Sequence, residues 1–316
     1  MLDYAEEIVI PALLDPTIER KYGSNRNFFY NTKLLRLTPG DVPEIGVFGR
    51  YIKDTVLERD QRYDRDKNRL VRDHDELESS PSSVFLFLLN THRLIYFKET
   101  RFAPGLGEFA LTLEKLLNIK REEYISELAQ ETFVRAKYGR AVKSELRTEI
   151  GKPSIEIIPL SSKATFSSFL KKFERLTNLD VKFVPTNDEY DPDSFFRDFE
   201  EQKDRLGSSS SSISHRNKGG LSIDAVRDDM KTVVDRGNTR MSMKGVDYQG
   251  DKIKGNNKQF ALKYPVDQEN IGSSAGASYM HSKFQDAVSK GYISLPSLTD
   301  KIKEKLKRIV DKYLSN

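Results

Sequence analysis

The chain of 316 residues has no cysteine and no tryptophan, only four histidines, and no long apolar run. Without cysteine there are no disulfides, thiolate nucleophiles or thiolate metal sites, and a reducing compartment, the cytoplasm, is expected. His74, His92, His215 and His281 are widely spread, so a zinc site would need carboxylates from remote segments. The local cluster "DHDE" (73–76) lacks the i, i+4 histidine pair of a helix-borne site and is read as a solvated charge run. No segment approaches the roughly 18 apolar residues of a membrane helix. The opening "MLDYAEEIVIPALLD" is too acidic for a secretory n-region, so any membrane role is expected to run through a partner.

What the chain does carry is charge: 52 Lys+Arg against 48 Asp+Glu, net +4, with 37% hydrophobic residues. Its length suits two or three domains with modest cores. We expect an α+β protein: a mixed α/β domain over 1–151, a two-layer α/β sandwich over 152–268 and a helical segment over 269–316.

In the first domain, "NFFYNTKLLRL" (27–37) reads as a strand ending at Pro39-Gly40. Ile45, Phe48, Ile52 and Val56 stand near helical spacing, which predicts a helix weakened by Gly46 and Gly49. The run "DQRYDRDKNRLVRDHDELESSPSS" (60–83) is read as a long exposed loop or a charged helix surface. Val84–Leu89 and Arg93–Lys98 form a hairpin around "NTH", the first strand buried on both faces. Leu106, Phe109, Leu113, Leu116 and Leu117 open a helix, and 120–151 continues as a long charged helix or helix pair with a thin apolar face.

In the second domain "SIEIIPL" (154–160) is a predicted strand and "FSSFLKKFERLTN" (166–178) an amphipathic helix through Leu176. "LDVKFVP" (179–185) is a strand, "DSFFRDFEEQKDRL" (193–206) a helix, and "GSSSSSISHRNKGG" (207–220) a low-complexity linker, with the order of 207–214 left open. A helix from Leu221 is followed by two strands, one with Met241, Met243 and Val246 and the other with Phe260, Leu262 and Tyr264. In the last segment Leu298, Ile302, Leu306, Ile309, Val310 and Tyr313 line one face of a lysine-rich helix capped by Thr299. That stripe suggests a dimer element.

"PGLGEF" (104–109) has too few glycines to cradle phosphate, and no P-loop motif occurs. Pro192-Asp193 with Glu201-x-Lys203 superficially matches a metal-dependent nuclease. That chemistry needs the E-x-K on a strand, and the segment has a helical pattern. No catalytic residue, metal ligand or cofactor is therefore assigned. Basic residues do cluster: 13 Lys/Arg against 8 Asp/Glu over 201–264, and 8 against 4 over 281–316. Gly/Asn-rich basic loops, "SHRNKGG" and "DKIKGNNK", suit phosphate contacts. The candidate DNA-binding residues are Arg216, Lys218, Lys244, Lys252, Lys254 and Lys258.

"VFLFLLNTHRLIYFKETRFAPGLGEF" resembles the corresponding part of RexA-like phage-exclusion proteins: an "FLF" strand, a turn, an "I-x-F" strand and an "F-x-P" step into a helix. "IEIIPL", "VKFVPTN" and "KGNNKQFALKYPV" follow in comparable order, over roughly 80–270. The DNA-binding subunit of the Kiwa anti-phage system is of similar length. The resemblance implies a cytoplasmic homodimer that binds duplex DNA without strong sequence preference. It further implies a non-catalytic part in bacterial abortive infection and signalling to a membrane-protein partner. The other readings are a metal-dependent nuclease effector and a protein-interaction subunit without DNA binding.

Overall fold

The computed structural model describes residues 2–133, 139–184, 201–203, 205–208, 210–231, 234, 239–295 and 297–315. The chain is α+β and divides into two compact units. The first holds Met1–Ile157, Ile271–Ala277 and Lys305–Asn316; the second holds Ile158–Asn270 and Ser278–Glu304. Among the described residues no helix is long and apolar enough to cross a membrane.

The first unit is built on an antiparallel sheet of β1 (Arg20–Tyr22), β2 (Asn25–Arg36), β3 (Ile45–Asp64), β5 (Ser82–Leu88) and β6 (Arg93–Lys98), in that order. β4 (Arg69–Ser79) pairs with β3 off this path. As the continuous apolar run predicts, Val84 to Leu88 of β5 are all buried. α1 (Ile10–Leu14) and α2 (Leu106–Phe133) pack on the sheet, α2 through Phe109, Leu113, Leu116 and Leu117. Glu108 helps start α2 by accepting from the Gly105 amide at 3.0 Å. A buried polar thread crosses this core. The Tyr51 hydroxyl donates to Asn27 Oδ1 at 3.1 Å and lies 2.8 Å from Thr112 Oγ1, and burial pushes the phenol up to about 12.

Two readings fail here. Residues 45–56 are strand, not helix, and 60–83 is mostly the second half of that strand and β4 rather than loop or helix. The helical spacing of Ile45, Phe48, Ile52 and Val56 is coincidental. The period that governs is two, with Ile45, Val47, Gly49 and Tyr51 facing inward. Gly49 is there for close approach, since a Cβ would sit 2.5 Å from Thr32 Cγ2.

α3 (Gly139–Glu149) returns along α2, and Arg121 closes its C-terminus by donating to Arg147 O at 2.7 Å and Ile150 O at 2.6 Å. At the end of α1, Asp15 Oδ2 meets Lys120 Nζ at 2.7 Å, and Asp15 also accepts from Thr17. The bonds to Lys120 and Thr17 hold the Asp15 carboxyl at about 2, below its ordinary 3.8. A lowered folded-state value stabilises the native state above about pH 4, and that contribution is lost as pH falls toward 2. Asp15→Asn is accordingly expected to flatten this acid limb in chemical unfolding between about pH 4 and 2; an unchanged limb would contradict the pairing.

The second unit has a four-stranded antiparallel sheet, order β10-β9-β7-β8, with β7 Phe173–Phe183, β8 Ser211–Leu221, β9 Thr239–Asp247 and β10 Lys252–Asn256. Its inner face presents Phe173, Leu176, Leu179, Val181, Met241 and Met243 to Phe166, Phe169 and Leu170 of α4 (Lys163–Leu170), with α5 (Ile223–Met230) alongside. α4 opens on a reciprocal cap: Ser162 Oγ accepts from the Thr165 amide at 3.1 Å and Thr165 Oγ1 accepts from the Ser162 amide at 3.0 Å. Ser162→Ala is expected to cost about 1 kcal/mol in urea unfolding; no loss would contradict the cap.

Four expectations change between residues 154 and 264. "SIEIIPL" lies outside any ladder, because Pro153 and Pro159 lack the N–H that strand pairing uses. The helix from Phe166 stops at Leu170, and Phe173 and Leu176 belong to β7. The serine-rich stretch is β8 from Ser211 onward rather than a linker. The partner of β9 is β10 at 252–256, not 260–264; Phe260 still enters the core. Residues 193–200 of the expected helix lie outside the described residues, while 201–203 are helical.

Two helices, α6 (Gln268–Gly272) and α7 (Gly276–Ser289), precede the last one, α8 (Asp300–Tyr313). α8 begins at the Thr299 cap, whose hydroxyl accepts from the Ile302 amide at 3.4 Å. Lys305 Nζ reaches Asp3 at 2.5 Å and Lys312 Nζ reaches Glu6 at 3.0 Å. Leu306 and Ile309 are buried within the chain, so this part of the stripe does not need a second copy to cover it.

Candidate nucleic-acid interface

The alternation that buries Met241, Met243, Val181 and Phe183 turns the intervening side chains to the opposite face of the second sheet. Pairing register arranges these outward residues in rows. One row runs Lys254, Lys244, Asn178, Arg216 across β10, β9, β7 and β8. The next runs Asn256, Ser242, Asp180, Ser214, and a third places Arg240, Lys182 and Ser212 side by side. Lys252 stands opposite Val246 at the other end. Neighbouring strands are about 4.8 Å apart and alternate residues about 6.7 Å apart, so these cations share a patch roughly 15 Å across the strands and 20 Å along them.

Four of the six sequence-predicted residues, Arg216, Lys244, Lys252 and Lys254, thus share one face. Lys218 lies at the edge in a bulge, where Asn217–Gly220 are inserted opposite the β7 step between Leu176 and Asn178. The bulge is held by Asn217 Nδ2 donating to Gly220 O at 2.7 Å and by the Gly219 amide donating to Asn217 Oδ1 at 2.9 Å. Lys258 sits in the turn after β10, its amide bonded to Asn256 Oδ1 at 2.9 Å. This is the end of the sheet where Arg240 lies, since Asn257 accepts from the Met241 amide and donates to Thr239 O. All six residues are exposed.

Two members of the face, Lys182 and Arg240, were missed by reading charge along the chain. The available signal was alternation, in "VKF" and "TRMSMK", of cations with buried apolar residues. Their pairing places Lys182 directly opposite Arg240, as Lys244 is directly opposite Lys254. Like charges set opposite one another across strands, with Cβ atoms about 5 Å apart, destabilise a sheet unless an anion lies over them. The carboxylate in these rows is Asp180, which accepts from Ser214 at 2.5 Å and lies 3.8 Å from Arg216. Lys182, Lys244, Lys252 and Lys254 make no ion pair among the described residues. No aromatic side chain stands in the rows; Tyr248, which is exposed, lies in the β9–β10 turn.

For other chemistry the geometry offers less. Asp73 of the "DHDE" cluster is drawn to Arg59 at 2.9 Å and Arg62 at 3.0 Å. Among the described residues no group of three or more His, Asp or Glu is placed to hold a metal ion. Glu201 and Lys203 are on a helical turn, and Pro192 and Asp193 lie outside the described residues. No protein-family description, curated protein or solved structure matches the chain.

Proposed function

We propose that the protein binds duplex DNA through its phosphate backbone, without reading sequence, by laying the outer face of the second sheet on the double helix. The observation that carries this reading is the opposed pair Lys244 and Lys254, with Lys182 and Lys252 on the same exposed face and none of the four in an ion pair among the described residues. Each cation neutralises a phosphate and releases condensed counterions, an attraction independent of base identity. Single-strand binders rely on aromatic platforms for base stacking. A face of Lys, Arg, Ser and Asn around the one carboxylate of Asp180 suits the denser phosphate array of the duplex instead. Lys218 on its bulge and Lys258 in its turn extend the contact at two edges of the sheet.

The wider role in this proposal is that of a non-catalytic DNA-binding component of a bacterial anti-phage system, which passes its signal to a membrane partner. Its support is the resemblance of the β5–β6 hairpin and the following helix to phage-exclusion proteins. Competition tests the binding reading: a duplex and one of its single strands, of equal length, displace a labelled duplex. The duplex should compete better, and unrelated sequences should compete alike. A single strand that competes better, or a strong preference for one sequence, would contradict backbone recognition of the duplex.

A further inference from the structure

Beyond the sheet that carries its first half, β3 continues with β4 as a two-stranded arm from Thr55/Ser79 to the Asp64/Arg69 end, roughly 30 Å long. Among the described residues β4 pairs with β3 alone. Isolated two-stranded ribbons are marginal in water, and long open edges invite pairing with another chain. One face of the arm presents two apolar pairs, Leu57 with Leu77 and Tyr63 with Leu70. Their exposures of 38%, 64%, 54% and 62% are high for large apolar side chains. Between them on the same face lie Arg59 with Asp75, joined at 3.0 Å, and Gln61 with Arg72. The apolar pairs are about 20 Å apart along the arm.

Charge is divided along the same axis. Residues 62–72 at the tip hold five basic and two acidic residues; 54–61 and 73–79 at the base hold seven acidic and one basic. Glu58 and Glu76 stand directly opposite one another at the base. Among the described residues, Arg65, Arg69 and Arg72 at the tip make no ion pair.

We propose that this arm is the self-association surface of the protein, with two copies packing arm on arm in opposite directions about a two-fold axis. An isologous contact repeats each interaction twice. Here it lays Leu57 and Leu77 of each copy on Tyr63 and Leu70 of the other. It also sets Arg72 beside the partner subunit's Asp75 and covers each acidic base with a basic tip. Arms running the same way would stack tip on tip and base on base, which like-charge repulsion opposes. The net negative charge of the whole arm argues against phosphate as its partner. This inference does not rest on the DNA-binding reading.

The test is the mass of the full chain in solution, by sedimentation, for the wild type and two charge-reversed variants. One carries Arg65→Glu, Arg69→Glu and Arg72→Glu at the tip; the other carries Glu58→Lys, Asp60→Lys, Glu76→Lys and Glu78→Lys at the base. All seven side chains are exposed, and circular dichroism checks that the fold is kept. The wild type should be a dimer, and each variant alone a monomer. An equimolar mixture should recover a dimer, because the reversed tip then faces the reversed base. A monomeric wild type, a variant that stays dimeric, or a mixture that stays monomeric would overturn the proposal.

Discussion

Replacing Lys244, Lys252 and Lys254 together by alanine is expected to weaken duplex binding by about ten- to a thousandfold at low salt. It should also lower the slope of log affinity against log salt by about 2.7, near 0.9 for each phosphate no longer neutralised. All three side chains are exposed at the β9–β10 edge of the second sheet, outside its core, so the variant should fold and melt as the wild type does. Removing one of two opposed lysines also relieves cross-strand repulsion. Lys244→Ala alone should therefore leave the fold no less stable while binding falls, which separates a binding role from a structural one. The loss should be equal for unrelated duplex sequences, as phosphate contacts require. Affinity within twofold of the wild type would remove the sheet face from the account.

Phe109→Ala should be the most damaging single core change, costing about 3–5 kcal/mol of stability. Phe109 is 1% exposed, and its ring centroid lies 5.3, 5.5, 5.1 and 5.6 Å from those of Phe29, Tyr51, Phe85 and Tyr96. The contacts to Tyr51, Phe85 and Tyr96 are edge-on, the arrangement ring quadrupoles favour. Truncation loses the transfer free energy of the ring and leaves a void ringed by aromatics that cannot collapse without breaking the Tyr51 hydrogen bonds. Phe109→Leu, which keeps most of the volume, should cost much less. Urea unfolding monitored by tyrosine absorbance would measure both; a loss below about 1 kcal/mol for the alanine variant would contradict the packing.

How legible the fold was depended on the kind of burial each element has. β5, β6 and the start of α2 were plain, since Val84–Leu89 and the stripe from Leu106 to Leu117 are apolar on the faces they bury. The β3–β4 arm was not, because both its faces meet water and its strands carry alternating charge instead of alternating hydrophobicity. β8 was obscured in the same way: edge strands made of Ser, His, Arg and Asn carry little apolar pattern, and their pairing comes from β7. Helix α4 was expected to run on through Phe173 and Leu176. Those residues sit at helical spacing from Phe169 yet continue a β7 run whose bulges shift the period.

Of the candidate interface, the lysines in Gly/Asn-rich stretches could be read from composition. The arrangement of the face could not. Arg216 and Lys254 are neighbours in one row only through Asn178 and Lys244, and Lys182 meets Arg240 across 58 positions of sequence. Register, not local charge, collects them.

The most direct test of the central claim is fluorescence anisotropy of a labelled duplex with purified protein at about 50 and 200 mM salt, without divalent metal. If the six cations of the sheet face alone engage phosphates, affinity should fall about a thousandfold between the two, and further if Lys218 and Lys258 at its edges also engage. Absence of binding at the lower salt, or an affinity indifferent to salt, would contradict the account.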